Sequence, residues 1–391
     1  MPFVAVDPAT GKQTAEVPFE SSTQTEQKVA SAQAAYLDWR LLSVEERIRP
    51  LAEMGRLLRE RKDAFGALMT SEMGKPIRQA TAEAEKCAWV CEYYAEQAPS
   101  LLRSVDAPTD GTSSYWTYRP LGIVLGIMPW NFPFWQVIRF GAPALTAGNA
   151  ALLKHAPSVP TCAAALEELF KDAGYPEGLF ANLFIDLEAT GNLIDDPRVR
   201  AVSLTGSVRA GKAVAARAGA AIKPCVLELG GSDPSLILAD ADLDAAAKSC
   251  AMGRLINTGQ SCVAAKRFVV VESVREAFEE KLVQAMSEWS IGDPSDPQTD
   301  VGPMAREDLR DALHDQVSRS VEAGARLLIG GRVPNRPGAW YPTTVLSDVR
   351  EGMAAYSEEL FGPVATIISA TDTTDAIEIA NGTAFGLGAS V

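Results

Sequence analysis

From Thr25 to Tyr94, apolar side chains return every three or four positions, as in Ile48, Leu51, Ala52, Met54, Leu57 and Leu58, with charged residues between them. That spacing lines one face of an α-helix and predicts a helical opening segment. Thr81 to Tyr94 continues it, and the proline, glycine and aspartate of Pro99 to Gly111 are expected to break it. Ser114 to Arg119 reads as a short aromatic β ribbon, as fit for an assembly contact as for an ordinary edge hairpin. The period then changes. Short apolar runs at Ile123–Met128, Ala150–Lys154, Leu183–Ile185 and Ala201–Leu204 alternate with amphipathic stretches such as Thr161–Ala173. This is the strand–helix–strand rhythm of a doubly wound parallel sheet that binds nucleotides. After Gly231 a second α/β rhythm begins, with strands at Ser235–Leu238 and Arg267–Val271 and helices at Leu243 to about Ile256 and Val274–Ser287. Gly292 to Pro303, dense in proline, aspartate and glycine, is a loop between elements.

A chain of 391 residues with 47% apolar content has room for two or three such cores. Lys and Arg number 36 against 50 Asp and Glu, a net charge of −14, so the field of the whole chain repels nucleic acid and acidic membranes. No apolar run approaches membrane-spanning length, and the first residues lack the pattern of a secretory signal. Cys87, Cys91, Cys162, Cys225, Cys250 and Cys262 are scattered without paired spacing, which fits reduced thiols and a cytoplasmic protein. Cys87 and Cys91 would share a helix face, but with His155 and His314 the only histidines and no second cysteine pair, packing rather than a metal site is expected.

The candidate chemistry lies in Asn257–Cys262, about thirty residues after Val226–Gly231. A thiolate is a strong nucleophile at neutral pH, and a carboxylate such as Glu228, its pKa raised by burial, could activate water against the adduct. Taken alone, Cys262 could equally be a small buried hydrophobe. Ala201–Ser207 is a strand running into a glycine turn and then the helical Val208–Ala218, a geometry that aims backbone N–H groups at an anion. Gly206, Gly211 and Lys212 nearly match the phosphate loop of NTPases, but Ala213 stands where magnesium coordination needs Ser or Thr. The turn therefore favours a dinucleotide over ATP, although a plain strand-to-helix connection would look the same. Asn131, within Pro129–Pro133, follows a strand at its carboxyl end, where its amide could donate to an oxyanion or serve a proline-bounded turn. Lys154 ends the next strand, poised for a phosphate or ribose, and His155 is read as structural.

Taken together, Met128–Pro133, Leu153–Pro157, Thr205–Gly211, Leu227–Gly231, Gly259–Cys262, Ala265–Phe268 and Glu358–Pro363 resemble, in order and spacing, the aldehyde dehydrogenase superfamily, and its succinate-semialdehyde dehydrogenase branch. The likeness runs over nearly the whole chain. It implies an α/β, aldehyde dehydrogenase-like fold: a Rossmann-type cofactor domain over 1–107 and 123–230, a small β oligomerisation ribbon over 108–122, and an α/β catalytic domain over 231–391. It also implies roles. Cys262 attacks the aldehyde carbon, the Asn131 side chain and the Cys262 N–H hold the oxyanion, and Glu228 activates the water that hydrolyses the thioester. Lys154 would bind the adenosine ribose, Gly206 and Ser207 the pyrophosphate, and Glu359 the nicotinamide ribose, with Trp130, the Leu229 backbone and Phe361 lining the same site.

NAD-preferring members usually carry a glutamate three residues after that lysine; here Pro157 and then Ser158 stand there. NADP is therefore the expected cofactor, with NAD also accepted. The branch places a substrate-carboxylate arginine where this chain has Arg139, while a second arginine six residues before the nucleophile is replaced by Ile256. Three readings stay open: Arg254 or Arg267 compensates, Arg139 acts alone, or Arg139 makes an ordinary ion pair. Ala264 excludes a regulatory disulfide with a neighbouring cysteine. Members continue for several tens of residues beyond the Phe385–Val391 motif, so the catalytic domain reads as lacking its C-terminal part. A small-molecule aldehyde is the expected partner, with neither nucleic acid nor membrane, and a homodimer or homotetramer the expected assembly. A dehydrogenase for another short aliphatic or carboxylated aldehyde is the alternative. A P-loop-like NTPase, disfavoured by Ala213, and a structural protein without activity are the readings from other classes.

Overall fold

The computed structural model describes residues 2–391. It divides into two compact units. The first gathers the chain up to Ala5, Gln13–Met69 and Ala80–Leu229; the second gathers Val6–Lys12, Thr70–Gln79 and Gly230–Val391.

The first unit is built on five parallel strands: β1 (Ile123–Met128), β2 (Ala150–His155), β3 (Phe180–Asn182), β4 (Val199–Thr205) and β5 (Cys225–Glu228). Their order across the sheet is β3-β2-β1-β4-β5. The chain steps outward from β1 to β3, then returns to the other side of β1, so the topological switch lies between β1 and β4. The register keeps the carboxyl ends level: Ile127 faces Lys154 on one side and Leu204 on the other, and Thr205 faces Glu228. β1 and β2 are apolar and buried almost throughout, as strands covered on both faces must be. β3 lies at Phe180–Asn182, three residues before the apolar run Leu183–Ile185 that reads as a strand in the sequence. Leu183 extends the pairing by one bond, its N–H donating to the Leu153 carbonyl at 2.8 Å before the chain turns irregular, and both Leu183 and Ile185 are buried.

Helices α1 (Ser22–Trp39), α2 (Val44–Glu60), α3 (Lys62–Met73) and α4 (Ile77–Leu101) form the opening segment, followed by α5 (Trp135–Thr146), α6 (Pro160–Asp172), α7 (Leu187–Asp195) and α8 (Val208–Ala220). α1 and α2 start on full capping boxes, Ser21 with Gln24 and Ser43 with Glu46, which satisfy the first free N–H groups. Pro99 does not end α4 but sits in its last turn, where the lost hydrogen bond costs little because the helix stops two residues later. Two short ribbons were not legible as drawn from the sequence. Phe3–Val6 pairs with Gln13–Val17, and the aromatic segment contributes only Tyr115–Trp116, paired with Val105–Asp106. Tyr115, Trp116 and Tyr118 are exposed.

The second unit carries β6 (Asp233–Ile237), β7 (Ala265–Val271), β8 (Arg326–Ile329), β9 (Thr344–Ser347) and β10 (Val364–Ala370), in the order β6-β7-β10-β9-β8. All pair in parallel except β8 with β9. α9 (Leu243–Leu255), α10 (Arg275–Ser287), α11 (Glu307–Glu322), α12 (Ala354–Ser357) and α13 (Thr373–Asn381) accompany the sheet. Phe268, Val270, Phe278, Leu282, Val345 and Ile367 fill one core of this unit. Among the described residues no helix is long and apolar enough to cross a membrane.

The start of α5 has no cap of its own, because Phe134 offers no side-chain acceptor. Glu83 of α4 supplies one: its buried carboxylate accepts from the N–H groups of Phe134 and Trp135 at 3.0 and 2.9 Å. The charge also meets the positive end of the helix dipole. Glu83→Ala is expected to lower stability by about 2–3 kcal/mol in urea unfolding, since two buried donors lose a charged acceptor.

Candidate active site

Four motifs lie at the carboxyl ends of the first unit's sheet. β1 runs directly into Pro129–Pro133, which carries the buried Asn131 and the half-buried Trp130. His155, fully buried at the end of β2, holds this loop. Its Nδ1 accepts from the Ala156 N–H at 2.8 Å, which leaves Nε2 to donate to the Pro133 carbonyl at 2.9 Å. Burial pushes the imidazole pKa down to about 4, so the ring stays neutral and engaged at both nitrogens. It has no capacity left to act as a base.

Lys154, one residue earlier, is buried with its ammonium 5.5 Å from the Phe3 ring. Desolvation lowers its pKa to about 8, and no carboxylate among the described residues pairs with it. An unpaired buried cation is costly in the protein alone and suits an incoming anion. Pro157, on the same turn, accepts from the Val4 N–H at 3.0 Å. The adjacent Ser158 hydroxyl is buried with no hydrogen-bond partner among the described residues.

At the end of β4, Gly206 donates its N–H to the Glu228 carbonyl at 2.9 Å, tying the glycine turn to the end of β5. Ser207 caps α8, its Oγ accepting from Ala210 at 3.2 Å. A side chain added at Gly206 would meet only Leu204, at 3.7 Å, so the protein's own packing does not demand glycine there. The open face and the helix N-terminus together fit an anionic ligand that must approach the backbone closely. Gly211 and Lys212 lie inside α8, with Lys212 exposed, so the resemblance to an NTPase loop is one of spelling: no loop spans Gly206–Lys212.

Glu228 ends β5 with about a third of its side chain exposed, so the deep burial expected for it is absent. Its Oε1 lies 3.6 Å from Arg139 Nη1. Arg139 is one turn along α5 from Trp135, and Lys86 of α4 rests 4.1 Å above the Trp135 ring. α5 thus carries Arg139 one turn from Trp135, and α4 brings Lys86 over the Trp135 ring.

In the second unit the loop Asn257–Cys262, which carries the candidate nucleophile, is held under strain. Asn257 and Thr258 have φ of 59° and 55°, followed by Gly259 at 71°, a left-handed run that costs roughly 1–2 kcal/mol at each non-glycine residue. Buried hydrogen bonds hold it. The Asn257 N–H donates to Gln79 at 2.7 Å, its amide donates to the Gln260 carbonyl at 2.9 Å, and the Gln260 side chain accepts from Ala305 at 2.9 Å. Cys262 follows, half-buried; the other cysteines except Cys225 are buried. Desolvation raises the Cys262 thiol pKa, opposed by the Lys266 charge and the Val263 N–H.

Arg254 and Arg267 do not compensate for Ile256. Both are buried and committed to backbone: Arg254 donates to the Gly259 and Leu360 carbonyls, and Arg267 to those of Ser232, Ile379 and Ala380. They are structural pins because only a carbonyl-lined interior could hold them. Glu359 accepts from the Gly231 N–H at 3.0 Å and lies 3.5 Å from Lys266. Beside it Glu358 pairs with Arg319 at 2.9 and 3.1 Å, and Phe361 is half-buried. Leu229, the last residue of the first unit, is half-buried next to Glu228. Sequence reasoning missed Lys266 and Lys86. The first could have been suspected as one of two adjacent cations, Lys266 and Arg267, in a strand otherwise apolar; nothing in its helix marks out the second.

The model of the aldehyde dehydrogenase family matches residues 2–391. The chain belongs to the aldehyde dehydrogenase family. This aldehyde dehydrogenase is 47% identical over 388 residues to the succinate semialdehyde dehydrogenase [NAD(P)+] Sad of Escherichia coli K12, covering 99% of this chain and 84% of that protein. It is 45% identical over 395 residues to succinate-semialdehyde dehydrogenase [NADP(+)] 1 of Mycobacterium tuberculosis H37Rv, covering 100% and 86%. Among solved structures, the succinic semialdehyde dehydrogenase of Streptococcus pyogenes in complex with NADP+ superposes with a TM-score of 0.97 at 34% identity, covering 99% of this chain and 85% of that one. The α/β architecture is therefore the family's.

Gly259 is the residue of the nucleophile loop least open to change, because a Cβ there would lie 2.3 Å from the Gly362 carbonyl oxygen as well as in a left-handed backbone. Gly259→Ala is expected to cost about 2–4 kcal/mol in thermal or urea unfolding and to depress activity with it.

Proposed function

We propose that this aldehyde dehydrogenase oxidises succinic semialdehyde to succinate, with NADP as the preferred cofactor and NAD also accepted. The exposed ribbon around Tyr115–Trp116 takes part in a cytoplasmic homodimer or homotetramer. The observation that carries the cofactor reading is the pairing of Lys154, a buried cation without a carboxylate, with Ser158, a buried hydroxyl without a partner, across Pro157. A ribose 2′-phosphate meets both needs, and no carboxylate stands at Pro157 to repel it. Gly206 and Ser207 would hold the pyrophosphate at the start of α8, Glu359 the nicotinamide ribose, and Trp130, Leu229 and Phe361 the surrounding surface. When bound, the cofactor supplies the hydride acceptor.

The chain's own residues do the rest. The Cys262 thiolate adds to the aldehyde carbon, and the amide of Asn131 with the Cys262 N–H stabilises the oxyanion as it forms. Loss of hydride leaves a thioester on Cys262. Glu228 takes a proton from water as that water attacks the thioester carbonyl; the acid leaves and the thiolate is restored. Arg139, with Lys86 of the neighbouring α4, supplies the positive field for the substrate's distal carboxylate, in keeping with the substrate named for the relatives above.

NADPH formation from succinic semialdehyde tests the reading directly: Cys262→Ala should abolish it. Arg139→Ala is expected to lower kcat/KM for succinic semialdehyde at least tenfold, about 1.4 kcal/mol, and to leave butanal within about twofold. Equal losses on both aldehydes would remove Arg139 from substrate recognition. Lys154 carries its charge below its pKa of about 8 and loses it above, so KM for NADP should rise as pH climbs through 8 while KM for NAD stays nearly level. Parallel profiles for the two cofactors would count against the 2′-phosphate contact.

A further inference from the structure

Lys266 has an environment that the reaction scheme above does not use. It enters β7 one residue after the strand begins, is 1% exposed, and its own carbonyl is fixed by the Thr366 hydroxyl at 2.8 Å. An ammonium has three protons to place. Two go to the nucleophile loop, to the Ser261 carbonyl at 2.9 Å and the Cys262 carbonyl at 2.8 Å. The third side faces the Glu359 carboxylate, 3.5 Å away. Burying a lysine to pin two loop carbonyls is an expensive solution, since a neutral donor would do so with far less desolvation. The charge itself is what a neutral donor could not bring.

We propose that Lys266 is a positioning residue for the nucleophile: its ammonium clips the backbone of Ser261 and Cys262 and keeps positive charge close to the thiol, and Glu359 sets how much of that charge the thiol feels. The groups in this electrostatic set are few. Cys262 is acted on by Lys266 and Glu359; Lys266 is acted on by Arg254, Glu359, Asp233 and Cys262; Asp233 also senses Arg267. Lys266 favours the thiolate and Glu359 opposes it.

The rate of Cys262 alkylation by iodoacetamide, followed against pH in the full-length protein, reads this out without turnover. Cys262→Ala gives the labelling of the other thiols for subtraction. Lys266→Met should move the midpoint upward and slow alkylation at pH 7 roughly tenfold, one pKa unit in thiolate fraction. Lys266→Arg, which restores the charge, should recover most of the rate. Glu359→Gln should act in the opposite direction, lowering the midpoint and speeding alkylation several-fold. A Lys266→Met profile that superposes on the wild type overturns the proposal. A Glu359→Gln midpoint that stays or rises overturns the link to Glu359, and this arm carries the test alone if Lys266→Met does not fold.

Discussion

The level register of β1 with its two neighbours is the constraint on which the first unit's chemistry depends. With Ile127 beside both Lys154 and Leu204, the loops leaving β1, β2 and β4 start from one layer. A slip of one residue would turn Lys154 to the other face of the sheet. The crossover helices make that slip improbable, because each parallel strand must be buried on both sides before the next can pair. The same layer receives Glu228, since Thr205 pairs with it and Gly206 bonds its carbonyl. Chemistry at the switch point is thus a product of strand order and register rather than of any single motif.

The second unit solves a different problem, that of holding a reactive loop in a conformation the chain does not favour. Three consecutive left-handed residues would relax if left to solvent. Here side chains take over the work that a ladder does elsewhere: Gln79, Gln260 and Asn257 bind the loop from the neutral side, Arg254 and Lys266 from the charged side. Because Lys266 is buried beside the loop, it also bears on how Cys262 ionises. Rigidity and reactivity come from the same groups.

Orphaned polar atoms form a third theme. Folded interiors leave few of them, so a buried ammonium without a carboxylate and a buried hydroxyl without a partner, four residues apart, describe the ligand that would complete them. Arg254 and Arg267 make the contrast. They too are buried cations, but backbone carbonyls accept hydrogen bonds from both guanidinium groups, which ties them to the fold.

Much of this was legible in the chain alone. The runs at Ile123–Met128 and Ala150–Lys154 became β1 and β2 because continuous apolar stretches bounded by turns have few other uses. The spelling of Asn257–Cys262 and Leu227–Gly231 identified the family because each local sequence carries its own turn chemistry. Elsewhere local pattern failed for physical reasons. Leu183–Ile185 stays buried after the regular strand has ended at Asn182, with only Leu183 still bonded to Leu153; Pro99 is tolerated because α4 ends at once; and Gly206–Lys212 matches a phosphate loop in letters while α8 absorbs most of it. The partners of charged groups were beyond reach. Arg139 beside Glu228, Lys86 over Trp135 and Lys266 between Cys262 and Glu359 join residues distant in sequence or on separate elements, and a charge's partner is fixed only when packing decides which groups lose their water.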